Sequence, residues 1–152
     1  MWFKLLPEGS PAPDFSLPDT AGQQVSLAGL RGRQVVLIFY PADFTPGCTA
    51  QLCAANAALE TEALAEADAQ ILGINPASPT THEAFAQRHH LRFPLLHDAA
   101  GRVAKSYRAS LLPGLLNNRV VYGIDSAGII RYAKMGAPPM SEVLLALQHT
   151  PR

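Results

Sequence analysis

The chain has 152 residues, 48% hydrophobic and 16% charged, and its twelve basic and twelve acidic residues give a formal net charge of zero. That length suits one well-buried domain, residues 1–152, and is short for two ordinary ones. The apolar content argues against disorder, and the balanced charge gives no reason to expect a nucleic-acid or anionic-membrane partner. Two cysteines do not make a disulfide framework; in an intracellular protein such a pair points to redox or metal chemistry. The apolar start Met1-Trp2-Phe3-Lys4-Leu5-Leu6 is too short for a signal segment, and no apolar run approaches membrane-spanning length. The expectation is a cytoplasmic protein.

Along the chain, Asp14-Phe15-Ser16-Leu17 and Gln24-Val25-Ser26-Leu27 alternate polar and apolar residues around the turn Asp19-Thr20-Ala21-Gly22, which predicts an N-terminal β-hairpin. Gln34 to Tyr40 is an unbroken apolar run, the pattern of a buried central strand. Pro41-Ala42-Asp43-Phe44-Thr45-Pro46-Gly47-Cys48 follows, and then an alanine-rich stretch of high helix propensity to about Ala67, with an acidic face of Glu60, Glu62, Glu66 and Asp68. Gln70 to Asn75 predicts a second core strand. Ser78-Pro79 starts a helix running to about His90, with Thr80-x-x-Glu83 as a competing capping box. Phe93 to Leu96 reads as a short strand and Gly101 to Arg108 as a short helix. Arg119 to Asp125 reads as a third core strand, paired through Ser126-Ala127-Gly128 with Ile129 to Ala133, and Ser141 to His149 as a last helix. Strands alternating with helices imply an α/β sandwich with a mixed sheet.

The stretch ending in Cys48 carries the chemistry. Cys48 falls where a strand gives way to a helix, at or just inside the first helical turn. Free backbone N–H groups and the positive end of the helix dipole favour a thiolate there. Pro41 and Pro46 stiffen the loop, and Gly47 lets the backbone turn and approach a ligand. A cysteine can be no more than a small buried hydrophobe; the Pro/Gly-shaped helix entry sets this one apart.

Pro41, Thr45 and Cys48 stand at the spacing Pro-x-x-x-Thr-x-x-Cys, which resembles the peroxiredoxin active-site signature. The string from Tyr40 to Thr49, with Cys53 five residues after Cys48, is similar to the Q-type branch, also called bacterioferritin comigratory protein. Pro11-Ala12-Pro13-Asp14-Phe15 resembles the N-terminal stretch of the same family, and the likeness runs from Pro11 to Leu147. It implies a thioredoxin-like sandwich with a central mixed sheet flanked by helices. It also implies a thiol-dependent peroxidase with no cofactor and no metal, acting on hydrogen peroxide and organic hydroperoxides as a monomer or weak dimer. In that reading Cys48 is the nucleophile and leaves the reaction as a sulfenic acid. Cys53 resolves it as an intramolecular disulfide, and a dithiol reductant such as thioredoxin resets the pair. Arg119, directly before Val-Val-Tyr-Gly-Ile-Asp, matches the family's arginine and would support the thiolate, although an arginine at a strand end is often only a surface charge. Thr45 would orient the peroxide and Pro41 would shield the thiolate.

Helical geometry adds a constraint. Five residues of helix rise ~7.5 Å, which puts the two Cα atoms roughly 8–9 Å apart, beyond the ~7 Å a disulfide spans. The first turns must therefore unwind in each cycle, eased by Pro46-Gly47, Thr49 and the small residues Ala50, Ala54 and Ala55. Three features depart from the family pattern. Gln51 replaces an acid three residues after the nucleophile. His97 stands where a small residue is usual and reads as a surface histidine. Ala109 to Asn118 is apolar for a loop. Two rival functions remain: a metal site using Cys48 and Cys53 with His82, His89 or His90, whose cysteine spacing is not that of a zinc knuckle, and a thiol–disulfide oxidoreductase or redox sensor, which normally carries Cys-x-x-Cys.

Overall fold

The computed structural model describes residues 4–59, 68–112 and 116–148. Its centre is a five-stranded sheet of β3 (Gln34–Phe39), β4 (Ala69–Asn75), β5 (Leu95–His97), β8 (Val120–Ile124) and β9 (Ile130–Met135), in the order β5-β4-β3-β8-β9. The apolar run at 34–39 is the central strand, parallel to β4 on one side and antiparallel to β8 on the other. It is buried on both faces because helices cover both, which is why its sequence shows no alternation.

One face packs against α1 (Pro46–Ala58), α2 (Pro79–His89) and α4 (Met140–Gln148), through Leu52, Ala55, Phe85, Val143, Leu144 and Leu147. The opposite face carries α3 (Arg102–Ser106) and the N-terminal hairpin of β1 (Ser16–Pro18) and β2 (Gln24–Ser26), closed by Phe15, Leu27, Val103 and Tyr107. The hydroxyl of Tyr107 donates to the Pro13 carbonyl at 2.5 Å, and that of Tyr122 to the Tyr107 carbonyl at 2.6 Å, so the large rings on this face bury with their polar ends satisfied. No helix among the described residues is long and apolar enough to cross a membrane.

The expected α/β sandwich, mixed sheet and N-terminal hairpin are all present, with several local corrections. Ser78, and not Thr80, caps α2: its Oγ accepts from the Thr81 N–H at 3.2 Å, with Pro79 as the first helical residue. The strand expected at 93–96 lies at 95–97, because Pro94 has no N–H for the ladder. Arg119 stands just before β8 and is not its first residue. The apolar 109–118 loop contains a small ribbon, β6 (Ser110–Leu112) paired antiparallel with β7 (Leu116–Asn117). Residues 113–115, the expected helical stretch at 60–67 with Glu60, Glu62 and Glu66, and His149 lie outside the described residues.

Candidate active site

The site forms where β3 ends. One residue beyond the Phe39–Ile74 and Phe39–Val120 pairs, Tyr40 stands between Asn75, at the end of β4, and Arg119, at the entry to β8. The parallel strands end here and the antiparallel strand begins here. A binding crevice at the carboxyl ends of parallel strands is the usual outcome of such a layout. The loop 41–45 leaves this edge and turns into α1.

Thr45 is the N-cap of α1, with Pro46 as the first helical residue, so Gly47 and Cys48 are the second and third. Pro46 has no N–H, and the first helical bond runs from the Thr49 N–H to the Thr45 carbonyl at 2.8 Å. The N–H groups of Gly47 and Cys48 therefore precede the helical ladder. The Thr45 side chain does not cap them. Its hydroxyl instead donates to the Ala42 carbonyl at 3.0 Å. With that proton committed, the hydroxyl's lone pairs are left to accept.

Arg119 is drawn against this turn. Its Nη1 donates to Gln51 Oε1 at 2.6 Å, and its Nη2 lies 3.2 Å from where a Cβ on Gly47 would stand. Gly47 has no positive φ. Its lack of a side chain admits the guanidinium, which corrects the turning role expected of it. Gln51 is buried and neutral, so it holds the arginine without cancelling its charge. Pro41 is half-buried, and its carbonyl accepts from Asn75 Nδ2 at 2.7 Å. The side chain of Cys48 lies outside the described residues. Cys53 is a half-buried free thiol on the same continuous helix. The structure thus brings Pro41, Thr45, Arg119 and the backbone of Cys48 to one strand edge, and sets Cys53 more than a turn along α1.

The sequence reading missed the layer beneath. Asp43 and His82 are buried, with His82 Nδ1 at 2.7 Å from Asp43 Oδ2, and Tyr40 donates its hydroxyl to Asp43 Oδ1 at 2.5 Å. Asp43 sits inside the signature string and Asn75 ends a core strand. Nothing local in the sequence signals that His82, 39 positions from Asp43, meets them. His97 is not the surface residue expected: it is half-buried at the end of β5 and its Nδ1 donates to the Ala77 carbonyl at 2.6 Å. Of the histidines considered as metal ligands, His82 has both ring nitrogens engaged, with Asp43 and with the Asn75 carbonyl. No group of three or more His, Cys, Asp or Glu side chains among the described residues is placed to hold a metal ion.

Residues 9–133 match the AhpC/TSA family. Among curated proteins, "Peroxiredoxin Q, chloroplastic" of Triticum aestivum is 41% identical over 82% of this chain and 57% of its own length. The protein of the same name from Sedum lineare is 40% identical over 85% of this chain and 69% of its own. The chain spans little more than half the length of several such relatives. Among solved structures, peroxidoxin BcpB of Mycobacterium tuberculosis superposes with a TM-score of 0.84 at 30% identity, covering 95% of this chain and 98% of that one. Peroxiredoxin Q of Xanthomonas campestris gives 0.77 at 26% identity, over 88% and 89%. The central mixed sheet with helices on both faces is the thioredoxin fold these proteins share. On the family match, the sequence relatives and the fold together, the chain belongs to the AhpC/TSA family and, within it, to the peroxiredoxins of the Q type.

Proposed function

We propose that this chain is a thiol-dependent peroxidase. The observation that carries the reading is the convergence of Arg119 on the first turn of α1, beside Gly47, at the strand edge that also presents Pro41 and Thr45. A Cys48 thiolate at the third helical position is favoured by the helix N-terminus and by this cation. It attacks one oxygen of ROOH, and the O–O bond breaks. Cys48 becomes a sulfenic acid, and the other oxygen leaves as RO⁻, which takes up a proton to form ROH. The guanidinium and the N–H groups of Gly47 and Cys48 supply donors for the charge developing on those oxygens. The Thr45 hydroxyl, its own proton committed to Ala42, accepts from the peroxide O–H.

The thiolate of Cys53 then attacks the sulfenic sulfur, water leaves, and a Cys48–Cys53 disulfide forms. An external dithiol such as thioredoxin returns two electrons and restores both thiols. Both cysteines lie on one helix, and five helical residues hold Cα atoms roughly 8–9 Å apart against a ~7 Å limit, so α1 must unwind at its start for the second step.

The test uses hydrogen peroxide and an organic hydroperoxide, each with thioredoxin. Cys48→Ser is expected to abolish peroxide consumption. Cys53→Ser is expected to consume about one equivalent and stall as a sulfenic acid or mixed disulfide. Turnover retained without Cys48, together with loss of the first reaction without Cys53, would reverse the assignment. Disulfide exchange without any peroxide consumption would support the oxidoreductase reading instead.

A further inference from the structure

The loop that presents Pro41 and Thr45 is held from below by a buried hydrogen-bonded layer. Asp43, in the middle of the loop, turns its carboxylate inward until its side chain is only 1% exposed. Oδ1 accepts from the Tyr40 hydroxyl and Oδ2 from His82 Nδ1. His82 is fully buried on α2, and its other ring nitrogen lies 3.2 Å from the Asn75 carbonyl. Two acceptors face one imidazole. A hydrogen on Nδ1 serves the Asp43 contact, the shorter of the two.

Asn75 closes the assembly by donating from Nδ2 to the carbonyls of Tyr40 at 2.8 Å and Pro41 at 2.7 Å. Above it Phe44 adopts a left-handed backbone, φ 63°, and packs its ring edge-on to Phe85 of α2, with centroids 5.1 Å apart. A non-glycine residue in that region is held there only when its surroundings over-determine it. The Asp43–His82 pair, the amide clamp and the ring contact all tie the loop to the ends of β3 and β4 and to α2.

We propose that Asp43 and His82 are positioning residues for the peroxide step: their buried pair, bracketed by Tyr40 and Asn75, sets the loop conformation that presents Pro41 and the accepting lone pairs of Thr45 to the substrate. This rests on the peroxidase reading above. A small displacement of oriented groups is enough to slow a reaction greatly, whereas the same thiolate meeting a simple alkylating agent makes no use of that orientation.

The experiment compares two reactions of Cys48 in the full chain: attack on hydrogen peroxide, followed by stopped flow, and alkylation by iodoacetamide, with Cys48 distinguished from Cys53 by fragment mass. The variants are Asp43→Asn and Tyr40→Phe, both isosteric, and His82→Ala. For Asp43→Asn and His82→Ala, peroxide attack is expected to fall by about 10²-fold while alkylation stays within about twofold. Tyr40→Phe, which keeps the Asp43–His82 contact, is expected to show the same split at a smaller size. If His82→Ala does not fold, the two isosteric variants decide. Rates that fall together, or a peroxide rate that does not change, would overturn the proposal. A parent protein that alkylates at Cys48 but consumes no peroxide would overturn the peroxidase reading and this one with it.

Discussion

Gly47 and Arg119 are chemically linked at the scale of single residues. A Cβ on residue 47 would come to 3.2 Å from Arg119 Nη2, a contact tight enough to displace the guanidinium by a few tenths of an ångström. Alanine is otherwise the better helix former by up to about 1 kcal/mol. Gly47→Ala is therefore expected to keep or slightly raise the thermal midpoint while slowing peroxide attack, and stopped-flow kinetics beside calorimetry on one sample would show the separation. Arg119→Ala removes the charge altogether. If that charge supports both thiolate and leaving oxygen, attack slows by ~10²-fold or more, and the Cys48 thiol titrates higher than in the parent protein. Unchanged attack and unchanged titration would make Arg119 a structural residue.

Two elements carry predictions of their own. The first is α1. Ala50 and Ala54 are small and exposed, but Leu52 is fully buried and Gln51 and Ala55 are buried, so the proposed unwinding would have to release them. Leu52→Ala is expected to cost about 2–5 kcal/mol of global stability while speeding formation of the Cys48–Cys53 disulfide, measured by denaturant unfolding and by the rate of the second kinetic phase. The second element is the β8–β9 hairpin, whose turn is organised by Asp125. Burial pushes its carboxyl up. Hydrogen bonds from Arg131 Nε and from the N–H groups of Ile129 and Ala127 outweigh that, leaving it below its ordinary value of 3.8. A depressed carboxyl stabilises the fold fully above the unfolded value and loses that contribution as pH falls through the folded one. Asp125→Asn is expected to lower the melting temperature at neutral pH, and the gap to the parent protein is expected to close as pH falls below about 4.

For the whole molecule, the proposed cycle makes the sheet the fixed part and α1 the moving part. β3, β4 and β8 are covered on both faces, and their ladder bonds are far from solvent. In that cycle helical residues 48–56 supply donors in the reduced protein and could not keep their geometry across a Cys48–Cys53 disulfide. Amide exchange is therefore expected to accelerate sharply at 48–56 on oxidation, with little change at 34–39, 70–75 and 120–124. Equal protection of the helix in both redox states would mean that Cys53 resolves a Cys48 from another chain. If the proposed Cys48–Cys53 disulfide forms, the same unwinding is expected to make it comparatively oxidising and easily reduced.

The elements were legible because their causes are local. The unbroken apolar run at 34–39, Pro46 at the helix start and Ser78-Pro79 at the next each dictate backbone from a few neighbouring residues, and the apolar run before Pro41 with the alanine-rich stretch after Cys48 placed the candidate nucleophile at a helix N-terminus. Which side chains meet was decided elsewhere. Arg119 reaches Gln51 across 68 positions because the β3–β8 register sets the entry of one strand beside the exit of the other. His82 reaches Asp43 because the end of β4 and the start of α2 lie over the same loop. Buried polar groups must find partners, but the sequence does not say which ones, since that follows from strand order and register. The candidate site residues could be named from chain spacing and family resemblance, whereas the buried layer beneath them came into view only with the sheet assembled.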